Sequence, residues 1–278
     1  MQHWATIPSA GGCITTATGQ ASIHRSVSQF TGYTQCSERY RLERIDKVPQ
    51  TPAGWTLQGL AVHEACEAWE RSHRTLEARE LVAIYDQSWA SHMSRLTRDE
   101  PDLDKWLTGT PRTRGGVDVE RRHARGIEQV HAYTARALSE PWVIWETPDL
   151  EPAIELFFRL DLNGIEVIGY IDQVREWPSG LLEIVDLKSG TKVPAWDFQL
   201  GIYSLAMQET YGVEIGTGRF YMLKNDDYTN PTDLSFFTME RVTKWFDGLN
   251  RGIEAKSFLP NVGDHCRICP VWKYCSAK

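Results

Sequence analysis

The stretch "AIELFFRLDLNGIEVIGYIDQVREWPSGLLEIVDLKSG", residues 153–190, decides the fold. Up to Glu140-Pro141 the apolar residues recur at helical spacing; here they recur at every second position, the period of a strand. Asn163-Gly164 divides the first two runs and is a strong hairpin signal. "SGLLEIVDLKSG" follows as a third strand bounded by glycines. Alternation places Leu182, Ile184, Asp186 and Lys188 on one face of it, and Glu183 on the opposite, solvent-facing side. A carboxylate and an ammonium at i and i+2, at the exit of an apolar strand, are expensive core residues. One strand back, "GYIDQV" sets Asp172 in an equally apolar run. Two acids and a lysine converging at neighbouring strand ends can hold divalent cations and a polarised water. A buried ion pair between Lys188 and one aspartate accounts for the same short tripeptide.

Upstream lies a helical lobe over about residues 58–140. "TLQGLAVHEACEAWERSH" and "EARELVAIYDQSWASHMSRL" both carry the helical period, and "VDVERRHARGIEQVHAYTARAL" adds a further helix after the loop "GTPRTRGG". Before them, the latter half of "SVSQFTGYTQCSERYRLERI" reads as helix, and residues 1–22 read as a flexible arm. Downstream, "AWDFQLGIYSLAMQETYG" is helical, "TGRFYMLKN" a short strand and "TMERVTKWFDGLNRGIEA" a late helix. Helices, a β-meander, then helix, strand and helix describe an α/β (α+β) domain with a core over about 141–256 and a cysteine cluster at 265–275.

The 278 residues can bury a sizeable core, and 41% hydrophobic with 24% charged residues is ordinary for a globular protein. A net charge of −7 argues against non-specific coating of DNA, yet leaves room for one local basic groove. Such a groove is offered between 105 and 136, where Lys105, Arg112, Arg114, Arg121, Arg122, Arg125 and Arg136 outnumber Asp118, Glu120 and Glu128. A solvated amphipathic helix face explains the same run. No stretch has the length of a membrane span and the N-terminus has no apolar signal core, so a cytoplasmic location is expected. Six cysteines in a reducing compartment read as metal ligands or buried small hydrophobes rather than disulfides. "HCRICPVWKYC", residues 265–275, spaces Cys266, Cys269 and Cys275 as C-x2-C-x5-C, for which zinc with His265 as fourth ligand is one reading.

Single residues elsewhere have dull explanations when taken alone. His63 in "GLAVHEACE" suits a hydrogen-bonded core histidine, and Gln199 and Tyr203 share a helix face four residues apart. Cys36 sits in "TQCSERYRL", far from the other cysteines. Glu64 and Glu67 suit a solvated helix face, Cys66 a packed small hydrophobe, and Cys13 a residue of the arm.

In order, however, Cys36, His63, Asp172, Asp186-x-Lys188, Gln199-x3-Tyr203 and Cys266/Cys269/Cys275 resemble the iron–sulfur branch of the RecB-like PD-(D/E)xK nucleases. That branch includes CRISPR-associated RecB-like exonucleases, the AddB nuclease domain and related phage exonucleases. The resemblance runs from about Ser26 to Cys275; Ser37 departs from a proline common after the first cysteine. It implies one nuclease domain over 23–278, with a restriction-endonuclease-like core: a central mixed sheet flanked by helices. It implies Mg²⁺ or Mn²⁺ held by His63, Asp172, Asp186 and the Leu187 carbonyl. Lys188 would orient or deprotonate the attacking water, and Gln199 and Tyr203 would position the strand or the lysine. Cys36, Cys266, Cys269 and Cys275 would hold a [4Fe–4S] cluster stapling the two ends of the chain. The substrate implied is DNA, single-stranded ends cut 5′→3′, with any helicase or recombination or CRISPR-adaptation protein a separate chain. Two other readings are a non-catalytic iron–sulfur DNA-binding scaffold and a restriction-type endonuclease, the latter disfavoured by the cysteine pattern.

Overall fold

The computed structural model describes residues 14–15 and 21–278; the greater part of the expected flexible arm, with Cys13, lies outside the described residues. The chain begins with β1 (Ile14–Thr15), β2 (Ala21–Arg25), α1 (Val27–Gln35), α2 (Ser37–Tyr40) and a π-helical turn at Arg41–Ile45. Three long helices follow: α3 (Gly54–Arg71), α4 (Ala78–Asp99) and α5 (Gly115–Ser139). Next come β3 (Val143–Ile144), β4 (Ile154–Leu162), β5 (Ile165–Glu176), β6 (Leu182–Lys188) and α6 (Phe198–Tyr211). The chain then forms β7 (Thr217–Met222), β8 (Asp227–Tyr228), β9 (Thr232–Asp233) and α7 (Met239–Glu254), and ends in two short 3-10 turns.

These elements pack as two compact units. The larger comprises Thr51–Leu156 and Tyr170–Phe236; the smaller comprises the described residues up to Gln50, with Phe157–Gly169 and Phe237–Lys278.

In the larger unit, β6 is the organising strand. It pairs antiparallel with β5 from Gln173↔Val185 to Glu176↔Leu182 and parallel with β7 from Ile184↔Gly218 to Lys188↔Met222. Two parallel strands need a crossover, which α6 supplies. With β3 antiparallel to β5, and β8 and β9 antiparallel to β7, the sheet is mixed, as the family resemblance implied. Every third or fourth residue of α3 faces inward: Leu57, Ala61, Ala65 and Trp69 are all at most 2% exposed. They join Tyr85 of α4, Tyr133 of α5, and Val185 and Leu187 of β6 in one apolar core.

Glu183 departs from its expected place in solvent. It is 3% exposed, accepting from Trp177 Nε1 at 3.2 Å and from Arg219 Nη2 at 2.8 Å. Trp177 and Arg219 close over that face of β6, so the charge there is matched rather than solvated. Along β5 a buried charge is held instead by neutral acceptors and an aromatic face. Arg175, fully buried, donates to Gln173 Oε1 at 2.9 and 2.7 Å and to Tyr228 at 2.7 Å, with its guanidinium 3.7 Å from the Trp142 ring centre. Gln173 in turn donates to Tyr133, whose hydroxyl donates to Glu70, both at 2.6 Å.

In the smaller unit, β4 and β5 meet in the hairpin foreseen at Asn163-Gly164, with φ of 54° and 87°. Both values are left-handed, the conformation a tight hairpin needs and for which Asn-Gly is suited. Beside this hairpin β2 pairs parallel with β5, Ile23 opposite Ile165. Helix α1 packs on α7 through Phe30 and Phe246, ring centres 5.1 Å apart. The expected helix in the latter half of residues 26–45 extends over nearly the whole segment as α1, α2 and the π-turn.

Candidate active site at the exit of strand β6

The ladder between β5 and β6 ends at Gln173↔Val185. One step further, the Asp172 carboxylate replaces a strand carbonyl: its Oδ2 accepts the Leu187 N–H at 2.8 Å. The two strands therefore part where Asp172 and Asp186 face each other's neighbourhood, and the unpaired backbone donor is satisfied by a side chain. Across the opening, α3 brings His63, whose Nε2 lies 2.9 Å from the Leu187 carbonyl oxygen. A carbonyl only accepts, so Nε2 carries a proton and Nδ1 faces the acids. Nδ1 is 3.6 Å from Asp172 Oδ2 and 3.4 Å from Glu155 Oε1. The Leu187 oxygen, expected as a ligand, is in this structure the anchor that orients His63.

Lys188 lies at the same exit. Its Nζ is 2.5 Å from Asp186 Oδ2 and donates to Gln199 Oε1 at 2.9 Å, while Gln199 Nε2 donates to Tyr203 at 2.6 Å. Lysine, glutamine and tyrosine thus form one chain from β6 onto the first turn and a half of α6. The contact to Asp186 is an ion pair outside hydrogen-bond geometry, and Asp186 Oδ1 is buried with no hydrogen-bond partner among the described residues.

Electrostatics follow from this crowding. Burial, then the charge of Asp186, pushes the Asp172 carboxyl up to about 8. Burial alone would lower the pKa of His63, but Asp172, Glu155 and Asp186 outweigh it and raise the imidazole to about 9. The same contest raises the Lys188 ammonium, with Asp186 and Asp172 overcoming desolvation. The Glu155 and Asp172 carboxylates have oxygens within 4.8 Å of each other, and two ionised carboxylates so close repel by a few kcal/mol (about 3–4 at an effective dielectric of 20), so the arrangement calls for a cation. The donor set suits a hard divalent ion: carboxylate oxygens, one imidazole, and a buried oxygen lacking any donor. Among the described residues, His63, Glu155 and Asp172 form a group whose ligand atoms all lie within 4.8 Å of one another.

Glu155 was missed in the sequence. The available signal was the same as for Asp172, an acid inside an apolar run, "AIELFF", but strict alternation gives it a solvent-facing explanation. Glu64 and Glu67 are half-buried and bonded, to His92 and Arg71 respectively, both at 2.8 Å. Of the arginines proposed for DNA, Arg112, Arg121 and Arg125 are exposed. Arg114 is exposed but paired with Asp104 at 2.8 Å. Arg122 turns inward: it is bound to Asp118 at 2.6 Å, reaches Gln58, and lies over the Trp55 ring.

A family model of the PD-(D/E)XK nuclease superfamily matches residues 24–276. The chain belongs to the PD-(D/E)XK nuclease superfamily. Asp172 lies on β5, and Asp186 and Lys188 on the adjacent β6 of the mixed sheet. The chain is 41% identical over 260 residues to the Gene 69 protein of Mycobacterium phage D29, covering 90% of this chain and 96% of that protein. It is 35% identical over 275 residues to the Gene 69 protein of Mycobacterium phage L5, covering 89% and 94%. Among solved structures it is similar to SSO0001 at 12% identity, covering 92% of this chain and 86% of that one, with a TM-score of 0.41, too low to carry an argument.

The cysteines of this superfamily member separate into two kinds. Cys66 is fully buried in the core, as expected of a packed small hydrophobe. Cys36, Cys266, Cys269 and Cys275 are free thiols that line one pocket of the smaller unit, together with His265. Hydrogen bonds hold the two sequence segments together there: Glu38 N to Leu259 O at 3.3 Å and Asn261 Nδ2 to Gln35 O at 2.8 Å. Among the described residues these thiols form no group of three within 4.8 Å. No described helix is long and apolar enough to cross a membrane.

Proposed function

We propose that the protein is a divalent-cation-dependent deoxyribonuclease, an exonuclease acting on single-stranded DNA ends. One observation carries the reading: Asp172, Asp186 and Lys188 converge at the open end of the β5–β6 ladder, with His63 facing them. Mg²⁺ or Mn²⁺ bound by His63, Asp172 and Asp186 would lower the pKa of a water and neutralise charge on the phosphate. Lys188, held by Gln199 and Asp186, orients the attacking water and donates to a non-bridging phosphate oxygen. Gln199 and Tyr203 keep that ammonium in place. The water oxygen bonds to phosphorus, the P–O ester bond breaks, and a proton passes to the departing alcohol.

The 5′→3′ direction, DNA over RNA and single strands over duplex rest on the resemblance to RecB-like exonucleases. A place in phage DNA metabolism draws on the phage origin of the similar Gene 69 proteins. Exposed Arg112, Arg121 and Arg125 are candidates for tracking the phosphate backbone, with Arg114 and Arg122 less available because acids already hold them.

The four pocket cysteines are proposed to hold a [4Fe–4S] cluster. Tetrahedral zinc, with Zn–S near 2.3 Å, needs its sulfurs about 3.8 Å apart, and among the described residues no three of these thiols lie within 4.8 Å of one another. A cubane spreads its four thiolates further, which favours iron–sulfur over zinc with His265. Incubating the protein with linear and circular single-stranded DNA, with Mg²⁺ or Mn²⁺, tests the activity. Degradation of linear DNA alone is expected; cutting of circles would make it an endonuclease, and no cutting at all would favour the scaffold reading.

A further inference from the structure

We propose that Glu155 is a direct protein ligand of the catalytic cation, a fourth beside His63, Asp172 and Asp186. The proposal rests on the divalent-cation reading above and deepens it.

Distances carry the first part. Two donors each about 2.1 Å from one ion stand between about 3.0 and 4.2 Å apart, depending on whether they are cis or trans. His63 Nδ1 to Glu155 Oε1 is 3.4 Å and His63 Nδ1 to Asp172 Oδ2 is 3.6 Å, both inside that span. These separations are long for strong charge-assisted hydrogen bonds, which run at about 2.7–2.9 Å. The tautomer agrees: Nε2 is committed to the Leu187 oxygen, leaving Nδ1 as the nitrogen that faces the two carboxylates.

An independent observation comes from Asp186. It is fully buried, and its Oδ1 has no hydrogen-bond partner among the described residues. A buried carboxylate oxygen without a donor is a vacancy in the polar accounting that a cation fills. Glu155 also sits at φ 44°, left-handed for a non-glycine residue within a strand, a conformation found where surrounding structure holds a side chain to a task.

The competing role is that Glu155 only orients His63. A double-mutant cycle on the full chain, stripped of metal and titrated with Mn²⁺ while free Mn²⁺ is followed by electron paramagnetic resonance, separates the two. Glu155→Gln keeps size and backbone and is expected to weaken Mn²⁺ at least about tenfold, in both the wild type and a His63→Ala background. Pulsed resonance in D₂O should count one additional coordinated water in Glu155→Gln. Unchanged affinity, or a loss that disappears in His63→Ala with the water count unaltered, overturns the proposal. Should Glu155→Gln fail to fold, Glu155→Asp, which keeps the charge on a shorter arm, is read in the same way, with a smaller loss expected. Wild type that takes up no Mn²⁺, or Asp186→Asn that binds it as well as wild type, overturns the cation reading as a whole.

Discussion

Asp172→Asn should make the metal-free protein more stable while removing its cleavage activity. The Asp172 carboxyl is raised from 3.8 to about 8 by burial and by Asp186, so folding suppresses an ionisation that the unfolded chain enjoys. At pH 7 that amounts to about three pKa units, or about 4 kcal/mol at 1.36 kcal/mol per unit. Asparagine removes this penalty and still offers an oxygen to the Leu187 N–H. It also removes the first of the charges that raise His63 to about 9, which returns part of the gain. A net stabilisation of about 2–3 kcal/mol remains. The sign fixes the pH window. For an acid with a raised folded pKa, stability is fully present below the unfolded value, near 4, and is lost as pH rises through about 8. His63, also raised, adds stability below about 6.5 that is lost as pH rises through about 9. Urea melts in EDTA from pH 5 to 9 should therefore show a gap between variant and wild type that widens mainly up to about pH 8, with the remainder added by about pH 9 as wild-type His63 titrates. Excess Mn²⁺ should restore the wild type by about 2.7 kcal/mol at one hundred times its Kd and leave Asp172→Asn nearly unmoved. A wild type as stable as the variant at pH 8 in EDTA would refute the reasoning.

Lys188→Ala should lower single-turnover cleavage at least about 100-fold while Mn²⁺ and DNA affinity persist, because the lysine acts on water and phosphate. Gly126→Ala should destabilise the larger unit by about 1–3 kcal/mol in urea melts, since overpacking a filled core forces side chains to shift. A Cβ there would stand 2.1 Å from the Tyr85 hydroxyl oxygen. Arg175→Ala should cost about 3–5 kcal/mol, as breaking a buried charge network does, without altering Mn²⁺ affinity. Anaerobically purified protein should be brown with about four irons per chain, as a cubane requires. Cys36→Ser should lose that absorbance, and colourless wild type with stoichiometric zinc would reverse the assignment.

Much of the fold could be read from periodicity. The Asn163-Gly164 hairpin, the third strand and the three long helices all lay in patterns of two or of three to four residues, because an element that buries one face sets its apolar residues at its own period. The two-residue strands β3, β8 and β9 are too short to hold a pattern. Glu183 was read as solvent-facing because alternation assigns faces but does not say which are covered; Trp177 and Arg219 cover this one. Arg122 was counted with a basic surface, and only the approach of Asp118 and Trp55 shows it drawn inward. Glu155 looked like an ordinary strand acid until α3 set His63 beside it.

By itself, then, the sequence determined which elements form and which residue types stand at the exit of β6: an aspartate, a lysine, and a second aspartate one strand away. Only the tertiary structure decided their company. His63 meets the Leu187 carbonyl across 124 residues, and Asp172 meets the Leu187 N–H across 15. Local propensity has a reach of a few residues, whereas the charge state and ligand capacity of a buried acid depend on whatever lies within a few ångströms of it. Those neighbours are brought there by the packing of α3 on the sheet, through a core whose partners are chosen by shape and burial rather than by order along the chain.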